Sequence, residues 1–476
     1  MDSPDVATLD ATIVPAGTPE ELAGPAYVPA PVTRQDRLSS IDVLRGFSLM
    51  GILVMNICDF AYGFKNYAYP LSTVKPVFSG PHWKVNTAVW FLRWILAEGK
   101  MRAMFSMLFG AGVILLTQRA EQRGAGVRVA DIYTRRNMWL VLFGMLHGYL
   151  IWSGDILFYY GTSALLFLFP FRNVRVKRLM WVAGIILFIN SLLIFGGQYG
   201  NAYSAKKAAA KANARLAQHQ TLTEDEQSDL KRWSSVQERW RMSDKKKFED
   251  IAAMQKGYFK AQGHEAGNVL MGELKGAYFG FGDWVGMMLL GMAMYKNGFL
   301  PGRWSLKAYA LTAAIGLPLA WGLSGLGVWK AWAGHFDMFQ TALWITPPYD
   351  LARVSGALGM GAALLILLKT GTLKWLLQRI AAVGQMALSN YLLTSVTMMT
   401  IFVWGPWHWY GYVEYYKIYY AVAGMWIVNM AFSSIWLRYF EFGPMEWVWR
   451  SLTYWKRQPM RIRAATPAEV VAATAA

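Results

Sequence analysis

Residues 134–171 read TRRNMWLVLFGMLHGYLIWSGDILFYYGTSALLFLFPF. Two apolar runs, 134–153 and 155–171, meet at a Ser153-Gly154 turn. A helix that crosses a bilayer needs about 20 mostly apolar residues. The first run has that length and the second is short. Two arginines precede the pair, and His147 and Asp155 interrupt it. A helical hairpin through a membrane is the simplest reading.

Working outward, eight more runs are long enough or nearly so: 42–63, 99–118, 179–197, 277–297, 306–326, 350–369, 380–403 and 418–438. The run at 99–118 extends back toward Asn86, with a break at Glu98-Gly99-Lys100. The fold class expected is therefore all-α, a polytopic helical membrane bundle of about ten spans. The loops agree with this count. Basic residues gather in alternate connections: Arg119 to Arg136, Arg172 to Arg178, Lys296 to Lys307, Lys369 to Arg379, and Arg450 to Arg463. The other connections hold few, which places both termini in the cytoplasm. The loop WGPWHWYGYVEYYK (404–417) reads as an interfacial aromatic belt.

The whole chain of 476 residues fits that class. It is 55% hydrophobic and 16% charged, with a mean hydropathy of +0.24. A soluble chain is about a quarter charged. One cysteine excludes a disulfide scaffold and cysteine-ligated zinc or iron–sulfur sites. The net charge of +18 fits basic membrane-protein loops better than nucleic-acid binding. Residues 1–37 read as a disordered tail, and 457–476 as a basic and then disordered one. Between them lie an N-terminal membrane half (38–198), a Lys/Glu/Gln-rich insertion (199–272) and a C-terminal membrane half (273–456). Trp233, Trp240, Phe248 and Tyr258 give the insertion an apolar stripe, so one or two amphipathic helices are expected on the outer side.

Ionisable groups inside spans are expensive and therefore candidates for function. Asp42 and Arg45 stand i, i+3 and can pair at the cytoplasmic end, where Arg45 can also meet an anionic ligand. Glu98, Lys100 and Arg102 cannot face lipid, and Glu98 and Arg102 can pair across one turn. His147 lies deep in its run between Gly144 and Gly148. A histidine ordinarily titrates near neutral pH, which suits a general base. Arg136, with Arg135 beside it, stands eleven residues earlier, about 16 Å along the axis. A cation at the mouth and a base that far inside fit a long ligand with an anionic head, such as acyl-CoA. Asp155 can cap the next helix or orient the imidazole. Gln385, Ser389, Asn390 and Tyr391 are polar within a span, as interhelical hydrogen bonders or substrate contacts. No histidine has metal-ligand spacing, so no metal and no tightly bound cofactor are expected. P-loop, dinucleotide-binding and serine-hydrolase motifs are absent.

The segments IDVLRGFSLMGILVMNI (41–57), EGKMRAMFSMLFGAG (98–112), RRNMWLVLFGMLHGYLIWSGDIL (135–157), VGQMALSNYLLTS (383–395) and WLRYFEFGPMEWVWRSLTYW (436–455) resemble the YeiB-type bacterial inner-membrane proteins, in order and over about residues 38–456. That family is distantly similar to membrane acyltransferases, the heparan-glucosaminide N-acetyltransferases and acyltransferase-3 enzymes, which use acetyl-CoA and an intramembrane histidine. The resemblance implies an inner-membrane protein moving an acyl, foremost an acetyl, group to a hydroxyl or amine of an envelope glycan, lipid or small molecule. By it, Arg45 in the shared Asp-x-x-Arg-Gly opening holds the acyl donor. The acyltransferase-3 pairing of a basic residue with a histidine on the first helix is absent. Two histidines are open as the base. His82 follows the first span, as in the heparan-glucosaminide enzymes, whereas His147 is within a span and has a carboxylate nearby. The site expected is His147 and Asp155 as catalytic residues, with Arg45, Glu98, Arg102, Arg135, Arg136, Asn390 and Tyr391 as substrate contacts. A transporter of a small metabolite or lipid using the same intramembrane charges is the alternative. The partners expected are the bilayer and the substrate, and the helix faces permit a homodimer.

Overall fold

The computed structural model describes residues 39–124, 126, 128–276 and 281–462. The N-terminal tail and most of the C-terminal tail lie outside them. Helices are the regular structure of the described residues, whose single β-type contact is the isolated bridge Phe440–Arg461.

The first half comprises α1 (Ser39–Tyr62), α2 (Trp83–Leu92), α3 (Lys100–Gln122), α4 (Arg128–Leu150), α5 (Leu157–Ser163) and α6 (Val176–Ala217). The insertion follows as α7 (Glu224–Trp240), α8 (Asp244–Met254) and α9 (Tyr258–Lys275). The second half holds α10 (Phe281–Lys296), α11 (Leu306–Ala333), α12 (Met338–Ile345), α13 (Tyr349–Thr370), α14 (Lys374–Gln385), α15 (Ala387–Met399), α16 (Ile418–Tyr439) and α17 (Pro444–Tyr454). Among the described residues, seven helical stretches are long and apolar enough to cross a membrane: Ser39–Tyr62, Trp83–Gln122, Val176–Ala217, Leu306–Ala333, Tyr349–Thr370, Ala387–Trp404 and Tyr415–Tyr439. The expected runs 134–153 and 155–171 are not among them, and the expected run 277–297 begins on residues 277–280, outside the described residues. α4 opens on Arg128, Asp131, Arg135 and Arg136, α5 has seven residues, and α10 has sixteen.

The break expected at 98–100 is present. α2 ends in a π turn over Arg93–Ala97, Gly99 takes φ +72°, and α3 starts at Lys100. The insertion holds more helices than the one or two expected. α6 runs on for 42 residues before three shorter helices. A Thr223–Glu226 capping box starts the first of these.

α1 is the central helix. Its first half packs in one apolar cluster with α3, α10 and α13, and its second half in another with Trp90, Trp152, Tyr410 and Tyr415. α14 crosses α1 where Gly46 and Gly384 face each other. A Cβ on either would collide with backbone of the other helix, so small residues set this close approach. The expected basic connections meet at one end. Arg172 pairs with Glu121 at 3.5 Å, Lys296 donates to the Val174 carbonyl at 2.8 Å, and Lys369 donates to the Gly302 carbonyl at 2.9 Å. The insertion docks at the other end. There Trp240 donates to the Phe336 carbonyl, Tyr258 to the Leu150 carbonyl, and Gln255 to the carbonyls of His408 and Tyr410.

Candidate functional site

A cavity of about 240 Å³ opens between α1, α3, α4, α14, α15 and α17. Its wall divides by chemistry. Toward the basic end stand Arg45, Arg119, Arg136 and Arg450, and deeper inside Leu108, Phe109, Leu140 and Leu157 make it apolar. Arg45 is held 3.1 Å from Asp42 and reaches toward the Gly384 carbonyl. The Arg136 guanidinium lies 3.8 Å over the Trp449 ring, and Trp449 Nε1 donates to the Arg136 carbonyl. That stacking fixes a cation at the mouth without neutralising it. Glu446, on the same wall, accepts from the Leu388 and Ser389 amides and from Ser389 Oγ. It thereby caps the start of α15, and burial raises its carboxyl above the ordinary range.

At the inner end Ile156, Leu157, Tyr160 and Tyr391 line the cavity. Directly behind them lies the pair His147 and Asp155. His147 Nδ1 is 2.8 Å from Asp155 Oδ1. The histidine is 1% and the aspartate 8% exposed, so the contact is out of water. Asp155 fills both roles open to it, because its Oδ2 accepts from the Phe158 amide at 2.7 Å and caps α5. Gly144 allows this arrangement, since a Cβ there would meet the Phe158 backbone and Asp155 Oδ2. His147 Nε2 is buried and has no hydrogen-bond partner among the described residues. An imidazole with one nitrogen held by a carboxylate and the other open is built to accept a proton. The Tyr391 ring, 4.8 Å from the imidazole between centroids, links the pair to the cavity. Trp152 stands edge-on at 6.1 Å on the other side.

Not every expected residue gathers here. Arg45, Arg136 and Tyr391 line the cavity and His147 and Asp155 lie behind it, whereas Arg135 is outside the lining. Asn390 is fully buried and donates to the Val383 carbonyl and Ser433 Oγ, an interhelical tie. His82 contacts Glu414 at 2.9 Å at the insertion end. Glu98 and Arg102 form a separate cluster and do not pair directly. Tyr349 Oη stands between them, donating to Glu98 Oε1 at 3.0 Å and accepting from Arg102 at 2.9 Å, while Arg93 takes the ion-pair position 3.7 Å from Glu98. Lys100 donates to the Trp94 and Glu98 carbonyls and to Ser324 Oγ. Arg353 completes the cluster between Asp283 and Asp350. Sequence reasoning missed Arg353. Its signal was the spacing Asp350-x-x-Arg353, the same as Asp42-x-x-Arg45. It also missed Arg119, Glu446 and Arg450, which look like ordinary helix-end charges until the fold turns them onto one cavity.

The family model described as "Protein of unknown function (DUF418)" matches residues 294–456. The chain is 28% identical to "Uncharacterized protein YeiB" of Escherichia coli over 437 residues, covering 91% of this chain and 98% of that protein. It is 28% identical to "Uncharacterized protein YxaH" of Bacillus subtilis over 446 residues, covering 90% and 97%. A 39.9 kDa protein encoded in the amylase 3' region of Bacillus acidopullulyticus is 23% identical over 444 residues, covering 91% and 98%. No solved structure matches the chain. With a DUF418 match in its C-terminal third and relatives aligned along nine-tenths of its length, the chain is YeiB-like.

Proposed function

We propose that the chain is a membrane acyltransferase of the bacterial inner membrane, with about ten spans and both termini cytoplasmic. Acyl-CoA, with the acetyl form foremost, enters the arginine-mouthed cavity from the cytoplasm. The observation that carries this reading is the buried His147–Asp155 pair, with a free Nε2, behind the inner end of that cavity. The relatives' names carry no activity, so the reading rests on the site.

In this reading Arg45, Arg119, Arg136 and Arg450 hold the phosphates, and the apolar wall takes the pantetheine arm. His147 Nε2 takes the proton of an acceptor hydroxyl or amine. The acceptor oxygen or nitrogen bonds to the thioester carbonyl carbon, and the C–S bond breaks. The departing thiolate then takes the proton from the imidazolium. Asp155 steadies that imidazolium, and Tyr391 is placed to donate to the carbonyl oxygen as it gains charge. The Glu98–Arg102–Arg353 cluster is left to structure.

Membranes carrying wild type or His147→Gln at matched levels test this. Labelled acetyl-CoA and an envelope extract are supplied, and label is followed into lipid and glycan fractions. Wild type transfers label, and the variant loses about 10²–10⁴-fold of the rate while eluting as the same monodisperse species in detergent. Absence of transfer with every acyl-CoA tried, alongside uptake into proteoliposomes that depends on His147, would replace this reading with transport.

A further inference from the structure

At the end of the bundle opposite the arginines, the insertion carries a second group of ligating side chains. Asp250 comes from α8, and His264 and Glu265 from α9. Each offers one donor atom, and the three atoms lie within 4.8 Å of one another. Asp250 Oδ1 is 2.9 Å from His264 Nε2, and Asp250 Oδ2 accepts from Tyr410 Oη at 3.1 Å. Glu265 also lines a small cavity of about 20 Å³ together with Asp59, Gln262, Trp152 and Tyr410. That space holds one or two water-sized ligands. Two carboxylates face it and no lysine or arginine lines it.

The second observation is Gln262, one turn before Glu265 on the same helix. It is 9% exposed, its amide nitrogen donates to the Tyr149 carbonyl, and its Oε1 is buried with no hydrogen-bond partner among the described residues. A buried amide oxygen left unpaired keeps its full desolvation penalty, and a cation or its bound water would satisfy it. Carboxylates beside an unpaired carbonyl oxygen ask for a positive charge. Glu265 is common to this cavity and to the donor group of Asp250 and His264, and the imidazole nitrogen in that group favours a borderline divalent metal over magnesium or calcium. One histidine with two carboxylates leaves a fourth position for water in a tetrahedral shell.

We propose that Asp250, His264 and Glu265 form a site for a divalent transition metal, zinc foremost, which fastens α8 to α9 above the outer cavity. Through Tyr410 Oη the same carboxylate ties both helices to the loop after α15. The proposal stands apart from acyl transfer. No spacing motif betrays it, because the third ligand lies 14 residues upstream of His264 on another helix.

The test is calorimetric titration of the tag-free full chain in detergent, stripped with chelator, against zinc chloride. Wild type should bind one equivalent saturably. His264→Gln and Glu265→Gln should each weaken binding at least tenfold, and His219→Gln should leave it unchanged. Glu265→Gln keeps the Asp250–His264 contact, so its effect is not one of folding, and elution as a monodisperse species checks each variant. Absence of saturable zinc binding to wild type, or equal affinity in the site variants, would overturn the proposal.

Discussion

Each nitrogen of His147 has a different surrounding: a carboxylate on one side and, among the described residues, no hydrogen-bond partner on the other. The two halves of this arrangement separate by mutation. Asp155→Asn keeps an acceptor for the Phe158 amide but removes the charge that favours imidazolium. It should lower acetyl transfer by about 10²-fold or more, within the range of general acid–base effects, and leave the melting temperature nearly unchanged. Equal transfer in Asp155→Asn and wild type would remove Asp155 from the chemistry. Arg353 tests the other cluster. It is 2% exposed between Asp283 and Asp350, and Arg353→Leu would leave two carboxylates with their buried counter-charge gone. The expected loss is about 3–5 kcal/mol, read by thermal unfolding in detergent. His147 and Asp155 were legible in the sequence because each interrupts an apolar run within a few residues of the other. The partners of Glu98 were not, because its contact with Tyr349 spans 251 positions and nothing local announces it.

Helix ends carry the next layer. Gly99 has φ +72° between α2 and α3, and a Cβ there would lie 2.8 Å from Tyr349 Oη. Gly99→Ala should cost about 1–2 kcal/mol from the left-handed backbone alone, and it should also disturb the Tyr349 bridge. The break was legible as a glycine between two charges, Glu98 and Lys100, inside an apolar stretch. The start of α15 depends on Glu446, whose carboxyl is raised by burial. A folded-state pKa above the unfolded one makes the folded chain the stronger proton binder. The Glu446 contribution is therefore full below the ordinary carboxylate pKa and is lost as pH rises through the raised value. Melting temperatures of wild type and Glu446→Gln, compared across that interval, should show a pH-dependent component in wild type that the variant lacks. That role for Glu446 was invisible in the sequence, since it depends on α17 folding back onto the first turn of α15.

Across the whole molecule, the basic connections were legible as one set, and the fold brings Arg172, Lys296 and Lys369 to the same end of the bundle. The number of membrane helices was harder to read. α5 is a short apolar piece of seven residues that runs on into π and 3-10 turns, and its length alone does not mark it as a span. In a Cys58→Ser background, Lys231→Cys should react with an impermeant thiol reagent from outside intact cells, and Thr372→Cys only after permeabilisation. The opposite labelling would invert the proposed topology. The long α6 bears on the same frame. Its 42 residues measure about 63 Å at 1.5 Å each, roughly twice the hydrocarbon thickness of a bilayer. Its far part therefore stands in water, where Ala202 and Ala205 pack against Val236 and Trp233 of α7. A helix turns about 100° per residue, so α6 sets an angle as well as a height. One residue inserted after Phe195 would swing Ala205 away from Val236 and point the insertion at a different quarter of the membrane surface. Faster protease cleavage within 218–257 would report that misdirection.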